Sequence, residues 1–148
     1  MRVVVFIAAL TLCACSPSAP TTQGAETSTP AAPVAASNSA AEFQAPSGNI
    51  GCDYTPAGGT AVYKTADNAA ELKCDRIEPA YVRITLPEHG AARIEPTQER
   101  GCCGGETLAH GAHWAAGPFQ CDMSEAGLTC ANAEGHGFTL SREQMQVH

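Results

Sequence analysis

The sequence predicts a small, disulfide-braced all-β domain, an antiparallel meander or barrel with at most one short helical turn at its C-terminal end. Three observations lead there. The apolar runs are short, several alternate with polar residues, and turn residues separate them at close intervals. The chain of 148 residues holds 14 Gly and 10 Pro, the residues that punctuate turns. Aromatic side chains make up only 5% of it, so a core needs other support, and 8 Cys can supply that support.

Length and charge bound the remainder. A chain of 148 residues is one domain at most. Formal net charge is −7, from 8 Lys+Arg against 15 Asp+Glu. An acidic chain repels phosphate backbones, so no nucleic-acid partner is expected. No apolar run reaches the roughly 18 residues of a membrane-spanning helix.

The N-terminal residues carry an address. Arg2 supplies a positive charge, and Val3 to Leu12 form a short apolar run with signal-peptide flanks. The end of that run, Leu12-Cys13-Ala14-Cys15-Ser16, resembles the lipobox of bacterial lipoproteins. The resemblance implies a signal peptide over residues 1–14 and a lipidated N-terminus at Cys15. An ordinary secretory signal is the alternative. Ser16 is not the Asp that would hold such a protein at the inner membrane, so the resemblance points to the outer membrane, facing the periplasm. Residues 15–41 are mostly Ala, Ser, Pro and Thr, and are expected to form a disordered tether, because they cannot bury enough apolar area to offset ordering entropy. The β domain is expected over residues 42–148.

The strands follow in order. Phe43 to Ala45 is a candidate strand, Pro46-Ser47-Gly48-Asn49 a turn, and Ile50 to Tyr54 the returning strand. Thr60 to Lys64 is a third candidate and Ala70 to Asp75 a fourth. Tyr81 to Leu86 alternates, with Val82, Ile84 and Leu86 on one face, and Ala91 to Glu95 can pair with it. Glu106 to Ala109, His113 to Ala115, Phe119 to Asp122, Leu128 to Ala131 and Phe138 to Leu140 complete the set. Ser141 with Gln144 three residues on fits a capping box, which would start the one helical turn.

Removing Cys13 with the signal and Cys15 to lipid leaves Cys52, Cys74, Cys102, Cys103, Cys121 and Cys130, an even set that reads as a disulfide framework in an oxidising compartment. A two-residue loop at Glu125-Ala126 would put Cys121 opposite Cys130, within disulfide reach. A bulge at Gly127 would shift that register. In the hairpin before it, the equivalent of Cys121 is Phe43. Cys52 must therefore pair elsewhere, and Cys74 on the strand nearest in sequence is the expected partner. Whether Cys102 and Cys103 pair with each other stays open.

Pro46-Ser47-Gly48-Asn49-Ile50 with Cys52, Leu72-Lys73-Cys74-Asp75, Gly127-Leu128-Thr129-Cys130 with Asn132, and Gly135-His136-Gly137-Phe138 with Leu140-Ser141-Arg142 together resemble a family of small secreted bacterial domains of unknown function. The resemblance implies an exported β-rich domain and brings no activity with it. The chain departs from it in the middle, where Cys102 and Cys103 adjoin ahead of Gly104-Gly105-Glu106-Thr107.

Candidate chemistry is sparse. Cys102 and Cys103 could form a redox or metal-binding pair, although no Cys-x-x-Cys is present. His110 and His113 could join them in a metal site, yet their spacing is not that of a metal motif and on a strand they would face opposite ways. His136 between two glycines invites a catalytic role, but no nucleophile motif accompanies it, and a tight turn with the imidazole bonded to a neighbouring strand is the simpler expectation. Glu95, Glu99, Glu106, Asp122 and Glu125 are scattered. The expectation is a non-enzymatic envelope lipoprotein without metal or cofactor, a binding or structural module with an envelope protein as possible partner. The alternatives are an inhibitor of a cationic cell-wall hydrolase, or a metal or redox protein using Cys102, Cys103, His110 and His113.

Overall fold

A computed structural model describes residues 38–101 and 103–148. The expected signal peptide, the expected lipidation at Cys15 and nearly all of the expected tether therefore lie outside the described residues. The described residues form eleven strands: β1 (Ala41–Gln44), β2 (Ile50–Thr55), β3 (Glu71–Arg76), β4 (Val82–Pro87), β5 (Arg93–Glu95), β6 (Glu106–Thr107), β7 (His113–Ala116), β8 (Phe119–Ser124), β9 (Gly127–Asn132), β10 (Gly137–Leu140) and β11 (Met145–Val147). They make a six-stranded sheet, ordered β5-β4-β3-β2-β1-β6, and a five-stranded sheet, ordered β11-β10-β9-β8-β7. Each is an antiparallel meander, except that β6 runs parallel to β1, opposite Phe43 and Gln44. The all-β expectation holds, as two packed sheets and not as a closed barrel.

Alternation explains the packing. β8 reads buried and exposed in strict turn, with Phe119, Cys121 and Met123 inward. On the facing sheet Phe43, Cys52, Cys74 and Ile84 lie side by side in one cross-strand row, and Tyr54, Leu72 and Leu86 in the next. These residues join Leu128, Cys130, Phe138 and Leu140 in a single core. Aromatic contacts tie the layers together: Trp114 of β7 lies 4.6 Å from Phe43 and 6.0 Å from Tyr54, and Tyr54 stands edge-on to Phe119 at 5.9 Å. Arg76, buried at one end of this core, donates from its guanidinium to the carbonyls of Ser141 and Ala80.

Two expected elements come out differently. Residues 60–64 are loop, not strand. The Thr60 hydroxyl accepts the N–H groups of Val62 and Tyr63, and the Thr60 N–H donates to the Tyr63 carbonyl, so local bonds satisfy the backbone that a sheet would have used. The C-terminal end has no helical turn. The Gln144 N–H does donate to Ser141 Oγ, as in a capping box, but the Ser141 N–H returns to the Gln144 carbonyl, which closes a hairpin between β10 and β11.

Candidate functional site

The outward face of the six-stranded sheet carries a charged row. Glu42, Asp53, Lys73, Thr85 and Arg93 stand opposite one another across β1 to β5. Asp75, Arg83 and Glu95 form the next outward row. Two segments fold over this face, residues 56–69 between β2 and β3 and residues 96–101 and 103–105 between β5 and β6. Beneath them Asp75 and Thr85 are buried, although they point away from the core.

Buried polar groups need partners, and these have them. Arg83 grips Asp75 with two bonds, Nε to Oδ1 at 2.7 Å and Nη2 to Oδ2 at 2.8 Å, while the Tyr81 hydroxyl donates to Oδ2 at 2.5 Å. The hydrogen bond to Asp75 raises the Arg83 pKa further above its already high value. Burial, and then the Asp75 carboxylate, raise that of Tyr81. The second covering segment rests on this group: the Gly101 N–H donates to the Tyr81 hydroxyl, Arg100 lies over the Tyr81 ring, and Glu99 sits 3.7 Å from Arg83. Thr85 donates to Glu95 at 2.9 Å.

The first covering segment is fastened by Tyr63. Its hydroxyl donates to Glu71 and accepts from Lys73 Nζ at 2.5 Å, and Lys73 also pairs with Glu71 at 2.7 Å. Burial pulls the Lys73 ammonium down, but its bonds to Glu71 and Tyr63 outweigh that and hold its pKa above the ordinary value.

Between the two segments runs a groove of about 660 Å³, with Glu42, Asp53, Lys73 and Arg83 on its floor, Thr60, Val62 and Tyr63 on one wall, and Glu99 and Gly105 on the other. Gly105 has φ +83°, and a Cβ there would collide with the Glu42 backbone, so only glycine lets the segment lie this close to β1. The cations of the floor are committed to Glu71 and Asp75. The carboxylates of Glu42 and Asp53, directly opposed across β1 and β2, have no hydrogen-bond or ion-pair partner among the described residues. Burial and then Glu42 raise the Asp53 pKa. Val62, 96% exposed, stands at the rim.

The residues singled out in the sequence distribute as follows. Cys52 faces Cys74 and Cys121 faces Cys130, each pair bridged with a Cα separation of 4.1 Å, in the registers expected. Phe43 is opposite Cys52, as the hairpin comparison implies. Cys103 is disulfide-bonded and lines a smaller cavity of about 240 Å³ beside Glu42 and Asp53. Cys102 lies outside the described residues. His110 lies in the turn before β7, and His113 bonds Asp122 across β7 and β8 at 2.9 Å. No group of three or more His, Cys, Asp or Glu placed to hold a metal occurs among the described residues. His136 sits in the β9–β10 turn, where its backbone N–H donates to Asn132 Oδ1. Of the glycines around it, Gly135 takes a positive φ, whereas Gly137 is required because a Cβ would strike the Cys130 carbonyl. Of the scattered carboxylates, Glu95 and Glu99 border the polar face, while Glu106 lies on β6, Asp122 on β8 and Glu125 in the β8–β9 loop.

Sequence reasoning passed over Glu42, Asp53, Tyr63, Lys73, Asp75, Tyr81 and Arg83. A signal was present: polar residues at period two in Lys73 and Asp75, and again in Tyr81, Arg83 and Thr85, mark outward rows. No protein-family model matches the chain, and no similar curated protein or solved structure is found.

Proposed function

We propose that this domain is a non-catalytic binding module of the cell envelope, held to the membrane through lipid on Cys15, and that it engages a partner protein through the groove on the six-stranded sheet. The opposed carboxylates of Glu42 and Asp53, which have no hydrogen-bond or ion-pair partner among the described residues, carry this reading. Like charges directly opposite one another on neighbouring strands destabilise a sheet, and a cationic side chain seated between them would relieve that cost. The pairs Lys73–Glu71 and Arg83–Asp75 fix the two cations of the groove floor.

A more specific reading makes the partner a cationic cell-wall hydrolase and the domain its inhibitor. The same two carboxylates and the net charge of −7 favour it, because an acidic surface steers a basic enzyme toward it. The test is capture of lysozyme by the full chain at low and at physiological salt. A complex that weakens as salt rises supports the inhibitor reading. A complex with other envelope proteins and none with lysozyme leaves the binding module and removes the hydrolase. Loss of detergent-phase partition in a Cys15→Ser variant tests the anchor, and unchanged partition would refute it.

A further inference from the structure

The turn between β4 and β5, in one sheet, meets the turn between β9 and β10, in the other. His89 stands at the junction. Its Nδ1 lies 2.9 Å from Glu134 Oε1, and its Nε2 lies 3.9 Å from Glu88 Oε1. Each carboxylate also holds a backbone N–H with its other oxygen: Glu134 Oε2 accepts from Gly90, and Glu88 Oε2 accepts from Ala70, both at 2.8 Å. One imidazole thus sits between two carboxylates that gather three segments. These are the β4–β5 turn, the β9–β10 turn and the end of the long loop before β3. We propose that His89 is a pH-responsive latch between the two sheets, closed when its ring carries both protons.

The chemistry of the ring supports this directly. A neutral imidazole donates from one nitrogen and presents a lone pair at the other, so it satisfies one carboxylate and faces the second unfavourably. A protonated ring donates to Glu134 and attracts the Glu88 carboxylate 3.9 Å away as an ion pair. Asp67, from the loop before β3, adds a third negative charge that acts on the ring, and His136 acts electrostatically on Glu134. The bond to Glu134 is the main cause of a raised His89 pKa, and the Gly90 N–H is the main cause of a lowered Glu134 pKa. A raised histidine stabilises the fold fully below its unfolded value and loses that contribution as pH rises through the folded one. A lowered carboxylate stabilises above its unfolded value and loses its contribution as pH falls through the folded one. The latch is therefore closed between the carboxylate range and the histidine range, and opens first on the alkaline side. Asn132, which donates to the Pro87 and Gly90 carbonyls, holds the same turns together at any pH. The latch modulates that junction without being its sole bond. It is independent of what the groove binds.

The test is an NMR-monitored pH titration of the full chain, read at the His89 ring and as hydrogen-exchange protection of the Ala70 and Gly90 amides relative to intrinsic exchange. The His89 midpoint should lie above the ordinary histidine value. Protection of both amides should fall roughly twofold to fivefold between about pH 6 and about pH 8.5, the scale of an exposed ion pair. His89→Asn should remove that pH dependence, and Glu134→Gln should lower the His89 midpoint. A midpoint at or below the ordinary value, flat protection in the native chain, or the same pH dependence in His89→Asn would each overturn the latch.

Discussion

Two outward rows of five residues can be set side by side. On the five-stranded sheet His113, Asp122, Thr129, Thr139 and Gln146 stand opposite one another, and the row is open to solvent or only half-buried. On the six-stranded sheet Glu42, Asp53, Lys73, Thr85 and Arg93 occupy the matching position, with Thr85 fully buried and Asp75 buried beside it. The inward faces do not differ in this way, since each sheet carries one buried cross-strand disulfide. Covering polar groups costs stability unless every one is bonded. The six-stranded sheet meets that cost with Arg83, Tyr81, Lys73 and Tyr63, while the exposed carboxylates of Glu42 and Asp53 have no hydrogen-bond or ion-pair partner among the described residues. The difference is why the proposed binding face is put on the six-stranded sheet: a surface needed only for solubility would look like the five-stranded one.

The comparison breaks most sharply at Asp75. Asp75→Ala removes the carboxylate that Arg83 and Tyr81 share and leaves a partly buried guanidinium exposed to that loss. We expect about 3 kcal/mol of destabilisation by denaturant unfolding, as for other buried pairs broken on one side. The corresponding change on the open face, Asp122→Ala, should cost no more than about 0.5 kcal/mol. Equal costs would show that the covered network contributes nothing particular.

The disulfides act on a similar scale. Cys52–Cys74 spans 22 residues of sequence and Cys121–Cys130 spans 9. Chain entropy alone then assigns the first about 3.4 kcal/mol and the second about 2.6 kcal/mol. Double replacement by Ala should lower the melting temperature in that order. The reverse order would mean that the loop between β2 and β3 is already restrained in the unfolded chain.

The smallest effect sharpens the comparison by its sign. Asp53→Asn should stabilise the domain by a few tenths of a kcal/mol, through relief of the opposed charges. An acid whose folded pKa is raised binds a proton in the folded state before the unfolded state does, so its contribution to stability falls as pH rises through that window. The variant should therefore lack a small loss of stability that the native chain shows on leaving the acid range. A destabilised Asp53→Asn would mean that the carboxylate has a structural partner.

Much of the fold was legible because it is local. A two-residue loop sets the register that puts Cys121 opposite Cys130, and Val82, Ile84 and Leu86 announce an inward face by their spacing. What was not legible depends on distant parts of the chain. The parallel pairing of Glu106 with Phe43 has no local signal. Thr60 to Lys64 has strand-like composition, and only the Thr60 hydroxyl bonds reveal a loop. Ser141 and Gln144 make the same N–H to hydroxyl bond in a hairpin as at a helix start, so that pair alone cannot separate the two. The groove sits between these cases. Once Cys52 is placed opposite Cys74, Asp53 must stand opposite Lys73, and half of the charged row can be written down from sequence. The segments that cover it cannot.

The most direct test compares two variants that change net charge equally, Glu42→Gln/Asp53→Asn on the six-stranded sheet and Asp122→Asn/Glu125→Gln on and beside the five-stranded one. Their affinities for the captured partner, measured calorimetrically at one ionic strength, separate position from overall charge. The first should bind more than about tenfold more weakly than the native chain, and the second within about twofold of it. Equal losses in the two variants would contradict the account, because binding would then follow net charge and not the groove.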